Sequence, residues 1–248
     1  MPDAELMSGD SMPKKTNVLL AWFVAALAVF LCAKNQAHAA PQDTPYPAMA
    51  SLNQYLTRSD IEIALARSAA PKSISDDAQV MVLGPHGYTT VARSSNGFLC
   101  LVERSWAAAT NDPEFWNPRM RAPICFNPAA AKTFAPIYLM KTTLVLEGKS
   151  KPEIIRTIAS ALDKNELPAL QPGAMCYMMS KQQYLNDRGK NWHPHLMFFA
   201  PGAAAKTWGA DLPGSPVMAA NDPEEHATIF MILVGHWSDG TPYSPTAR

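Results

Sequence analysis

The chain has 248 residues, with 21 Lys plus Arg against 21 Asp plus Glu and a formal net charge of 0. A neutral chain with no long single-sign run lacks the basic excess that nucleic acid or an anionic membrane surface requires, so neither is an expected partner. At this length, with 48% hydrophobic residues, a single domain can bury a sizeable core without a metal or a disulfide framework.

The N-terminus reads as a cleavable signal peptide, residues 1–39. Lys14 and Lys15 precede an uncharged apolar run over 18–33, and Ala37-His38-Ala39 then supplies an A-x-A cleavage site. The run is shorter than the ~20 residues that span a bilayer. Cleavage is therefore expected, with an uncleaved membrane anchor as the alternative. Leu31 before Cys32 is too large for a lipobox, and translation from Met7 or Met12 would give a less acidic start. The expected location is periplasmic or extracellular, with no membrane contact after cleavage. Three cysteines would remain, Cys100, Cys125 and Cys176. An oxidising compartment permits one disulfide and leaves one thiol over. Cys100 and Cys125 are the expected pair, against the alternative that all three are small buried hydrophobes.

Residues 40–57 form a Pro-rich lead-in of low order, and 58–248 a single globular domain. Ser59-Asp60-Ile61-Glu62 has the capping-box pattern, and Ile61, Leu65 and Ala69 continue at helical spacing towards Pro71. Strands are expected at 79–83, 88–92 and 98–104. The Gly84–Gly87 turn and the Asn96-Gly97 hairpin signal would join them as an antiparallel meander. Residues 107–127 read as irregular. Asn127-Pro128 starts a helix, Pro136 kinks it or begins a second one, and Gly148 ends it. Ser150 and Glu153 make another capping box, ahead of an apolar stripe at Ile154, Ile155, Ile158 and Leu162. Further strands are expected at 174–180, 193–200, 217–220 and 228–234. Helices segregated between strand blocks predict an α+β fold, in which an antiparallel sheet from two β-rich blocks carries the central helices on one face.

The chain lacks G-x-S-x-G, Walker, G-x-G-x-x-G, H-E-x-x-H and C-x-x-C signatures. Its most distinctive cluster is Trp192-His193-Pro194-His195. On a strand, His193, His195 and Met197 share a face. If the strand holding Cys176 and Met178 pairs with it, soft sulfur approaches two imidazoles, a zinc or copper ligand set that His236 could join. Pro194 and the frequency of methionine as a core filler argue for a structural role instead. The polar loop 182–189 offers a second candidate. There Asp187 and Arg188 would orient a polar ligand, and Tyr184 and Trp192 would stack on it. The expected function is an exported, bacterial-type, non-enzymatic binding or accessory domain. The alternatives are a zinc- or copper-binding protein using the H-x-H strand, and a hydrolase-like enzyme with a histidine base.

Overall fold

The computed structural model describes residues 45–244. The signal peptide, the membrane-anchor alternative and Cys32 lie outside the described residues. The described chain is α+β: one mixed eight-stranded sheet with five α-helices. The strands are β1 (Gln79–Gly84), β2 (Gly87–Ala92), β3 (Leu99–Glu103), β4 (Ala122–Phe126), β5 (Met175–Met178), β6 (His195–Pro201), β7 (Val217–Asp222) and β8 (Ala227–Leu233). Their order across the sheet is β2-β1-β3-β4-β5-β6-β8-β7. The helices are α1 (Ser59–Arg67), α2 (Lys72–Ser75), α3 (Pro128–Thr133), α4 (Ala135–Leu146) and α5 (Lys151–Asp163). None of the described helices is long and apolar enough to cross a membrane.

The first β-rich block differs from the expected meander. β1 and β2 form the antiparallel hairpin, but β3 lies on the other side of β1 and runs parallel to it. The burial pattern gives the reason. All five residues of β3 are buried, whereas Thr89, Thr90 and Val91 of β2 are exposed. An all-buried strand belongs inside a sheet and a half-exposed one at its edge. Asn96-Gly97 therefore builds a crossover and not a hairpin. The Asn96 side chain accepts from the Phe98 N–H and donates to the Ile74 carbonyl, which pins the loop to α2. Gly97, at φ +79°, packs on Pro128.

β4 is a central strand inside the segment expected to be irregular. It contains Pro123, which cannot donate to a ladder. The fold tolerates it because β5 pairs only with Cys125 and Phe126, so the strand around Pro123 is laddered only to β3.

The two faces of the sheet carry separate cores. One face presents Leu99, Leu101, Ile124, Phe126, Cys176 and Phe199 to α3, α4 and α5. Phe134, between α3 and α4, stacks on Phe199 with ring centroids 3.7 Å apart. Asn127 caps α3 by accepting from the Ala130 N–H, and Glu153 accepts from both the N–H and the hydroxyl of Ser150, as the sequence patterns predict. The opposite face presents Val80, Cys100, Val102 and Cys125 to the alanine-lined side of α1. Cys100 and Cys125 sit directly across from each other on β3 and β4, at disulfide distance with Cα atoms 4.1 Å apart, and Cys176 is free and buried.

α1 departs from its expected start. Its N-cap is Arg58, and Ser59 makes no capping box. Glu62 turns inward instead, accepting from the Arg104 guanidinium at 2.6 Å and from the Leu83 N–H at 3.2 Å. Arg104 is 0% exposed and also donates to the Tyr55 carbonyl at 2.7 Å. The lead-in is thus ordered by contact from Tyr46 onward. Tyr55 is fully buried against Trp106, and the Tyr46 hydroxyl reaches Asp187.

Candidate functional site

The loops that follow β3 and β5 form the two walls of a groove of about 430 Å³. The first wall, residues 108–120, is held by aromatic anchors. Trp106 is buried and donates through Nε1 to Thr142 of α4 at 2.9 Å, and the neighbouring Phe115 and Trp116 meet edge to face at 4.6 Å. Lys141 of α4 holds the Ala108 carbonyl at 3.2 Å. The second wall, residues 185–192, closes on itself. The Leu185 N–H donates to the Lys190 carbonyl, the Lys190 N–H returns to Asn186, and the Gln183 amide ties down the Trp192 carbonyl. Lys190 takes a left-handed φ of +60° to make this turn.

Asp187 clamps the walls together. Its carboxylate accepts from Tyr46 (2.6 Å), Tyr184 (2.7 Å), Asn117 (2.9 Å) and Arg119, while its own N–H donates to Glu114. Partial burial opposes ionisation, but donation by Tyr46, Tyr184 and Asn117 and the charge of Arg119 hold its pKa down at about 2. Asp187 and Tyr184 are therefore occupied as braces, and Arg119 lies 5.7 Å over the Tyr184 ring.

Arg188 and Trp192 line the groove itself. Arg188 is exposed and has no ion pair among the described residues. Asp112 and Glu114 line the same groove, with Met120 and Leu185 as apolar surface. The two acids lie in the segment that reads as irregular, and only their spacing in an Asx turn, with Asp112 accepting from the Glu114 N–H at 2.6 Å, marks them out. A guanidinium, two carboxylates, an indole and apolar side chains in one cleft can hold opposite charges and an apolar group at once.

A larger cleft of about 640 Å³ runs beside α1, lined by Arg67, Ser68, Lys181 and Asp239. Two of its three cations are already committed, while Lys72 has no ion pair among the described residues. Arg67 donates to the Ser75 and Asp76 carbonyls, and Lys181 pairs with Asp239 at 2.8 Å.

The H-x-H residues separate. His193 lies before β6, half-buried, with its ring 4.2 Å from that of Tyr243. His195 opens β6, buried, with Nδ1 donating to the His193 carbonyl at 2.7 Å and its ring 4.7 Å from Trp192. Burial lowers its pKa. The expected pairing of β5 with β6 is present, but Cys176 faces Met197 and it is Met178 that faces His195. Burial pushes the Cys176 thiol well up, so it stays protonated. His236 is exposed in a bridge with Pro242. Among the described residues no group of three or more His, Cys, Asp or Glu is placed to hold a metal ion. His193, His195, His236 and Cys176 thus do not gather into the expected ligand set.

A buried charge cluster leaves no mark in the sequence because its members lie far apart in the chain. Lys141 is 1% exposed and reaches Glu225 at 3.4 Å, near Glu103. Burial and then the charge of Glu225 push Glu103 up to about 8, with Lys141 opposing. Burial raises Glu225 to about 7, with Lys141 again opposing. Both folded pKa values exceed the unfolded value of about 4.3. Between that value and about 8 the unfolded chain releases these protons more readily, so stability falls as pH rises. The expected loss is on the order of 2–4 kcal/mol across pH 5 to 8. Urea midpoints measured over that range should show the decline, and Glu103→Gln should remove about half of the slope, Glu225 supplying the rest.

No family model matches the chain, and neither a curated protein nor a solved structure matches it.

Proposed function

We propose that this protein is an exported, non-enzymatic binding protein whose groove takes a small zwitterion bearing an apolar group, such as an amino acid or short peptide. The observation that carries the reading is Arg188, free of any ion pair among the described residues, sharing a braced cleft with Asp112, Glu114 and Trp192. A guanidinium fits a ligand carboxylate in bidentate fashion, Asp112 suits an ammonium while Glu114 is held by Asp187 and Asn117, and the indole covers an apolar side chain. The Asp187 clamp holds the walls in place before binding, which lowers the ordering cost. Export is supported by the basic, apolar and small-residue order at the N-terminus and by the Cys100–Cys125 pair.

Calorimetric titration with free amino acids and dipeptides, against the same compounds with amidated carboxylates, tests this. Free carboxylates should bind and amides should bind weakly. Arg188→Ala should cost about tenfold or more in affinity, the range for one charge-assisted hydrogen bond. Trp192→Ala should weaken the compounds with apolar side chains most. Silence across the panel at millimolar concentrations, or affinities unchanged in both variants, would overturn the reading.

A further inference from the structure

The outer half of the sheet carries a row of thioethers. In register across three neighbouring strands, Met197 of β6 faces Met231 of β8, which faces Met218 of the edge strand β7. Directly opposed residues on adjacent strands project from the same side of a sheet, with Cβ atoms about 4.5–5.5 Å apart. Three flexible thioethers are therefore presented side by side. His195 precedes Met197 by two residues on the same strand and so shares this face. All three methionines are half-buried, neither sealed nor fully solvated.

Packing alone accounts poorly for this choice. The neighbouring positions Val217, Ile229 and Ile232 are the β-branched residues that strands favour, whereas methionine brings flexibility at a position where shape should be fixed. Met197 packs against the helix-covered core, but Met231 and Met218 lie outside the buried core clusters. The imidazole is set up as a ligand. With Nδ1–H donating to the His193 carbonyl, the ring is held in the tautomer that leaves the Nε2 lone pair available, an arrangement in which metal-ligating histidines are commonly held. Thioether sulfur with imidazole nitrogen is a donor set for a soft monovalent ion, above all Cu(I).

We infer that Met197, Met231 and His195, with Met218 at the open edge, form a binding site for Cu(I). The site adjoins the groove through the contact of His195 with Trp192, but none of its ligands lines the groove. It also differs from the cysteine-containing set. Cys176 continues the row on the inner side of Met197, but it is fully buried in the helix-covered core and keeps its proton.

Purified protein should take up one equivalent of Cu(I) in competition with bicinchoninate. Ag(I), a redox-inert stand-in, should shift the methyl resonances of Met197, Met231 and Met218 in protein labelled with ¹³C-methyl methionine. Met197→Leu and Met231→Leu conserve volume and should keep the fold. Each should weaken Cu(I) by about tenfold or more, and together they should abolish the stoichiometric site. Met140→Leu on α4 and Cys176→Ser should leave uptake unchanged. Absence of one-equivalent uptake, uptake that survives the double variant, or uptake lost in Cys176→Ser alone would each overturn the assignment.

Discussion

Replacing Arg104 by methionine should lower the free energy of unfolding by about 3–5 kcal/mol, the largest loss expected from any single substitution in the buried polar network. The size follows from what remains. Arg104 is fully buried, and Glu62, at 1% exposure, would keep its carboxylate with only the Leu83 N–H as a donor. An unpaired buried charge costs more than the pair contributes. The guanidinium also satisfies the Tyr55 and Val102 carbonyls, so the lead-in would lose its hold on β3. The Arg104 N–H donates to Tyr138, whose hydroxyl lies 3.0 Å from that of Tyr88, which extends the network from α1 through β3 to β2 and α4. Removing both charges with Glu62→Gln and Arg104→Met should recover a good part of the loss. Urea unfolding of the single and double variants checks this. A single variant as stable as wild type would show that the charges are not held as described.

The second large effect concerns the cysteine pair. Cys100 and Cys125 are 25 residues apart in sequence, and a closed loop of that size restricts the unfolded chain by about 3–3.5 kcal/mol. Both are fully buried beneath α1. A reductant should therefore act slowly on the folded protein and quickly once it unfolds. Cys100→Ala with Cys125→Ala should lower the thermal midpoint by several degrees, as should reduction of the wild type. Cys176→Ala should not reproduce that shift under reducing and non-reducing conditions alike, because no bond is lost. Equal midpoints with and without reductant would contradict the pairing.

Local chemistry made much of this fold legible. The β1–β2 turn, the Asn127 cap, the Ser150–Glu153 box and the positions of every strand but β4 follow from patterns within a few residues. What failed needed long-range knowledge. Asn96-Gly97 is a sound hairpin signal, but β3, buried along its whole length, had to be interior, and that requirement won. Glu62 fits a capping box on spacing, yet a buried arginine 42 residues away offers it a stronger partner. The Pro-, Asn- and Trp-rich composition of 107–127 reads as irregular, yet the one-sided ladder around Pro123 permits β4 there. At the candidate site, Arg188 and Trp192 were legible because a polar loop with an aromatic is a recognisable binding element. Asp187 and Tyr184 belonged to the same loop, but their charge and hydroxyl went into bracing it. Asp112 and Glu114 stayed hidden, since nothing in a Pro- and Trp-rich stretch says which other loop it will face.

If the groove between residues 108–120 and 185–192 is where this protein meets its ligand, two-dimensional ¹⁵N NMR will show it most directly, during titration with the tightest-binding amino acid or dipeptide. Shifts should concentrate on those two walls and on the Trp192 indole N–H, and Arg188→Ala should remove them at the same ligand concentration. Shifts confined to the cleft beside α1, around Arg67, Ser68 and Lys181, would contradict the assignment.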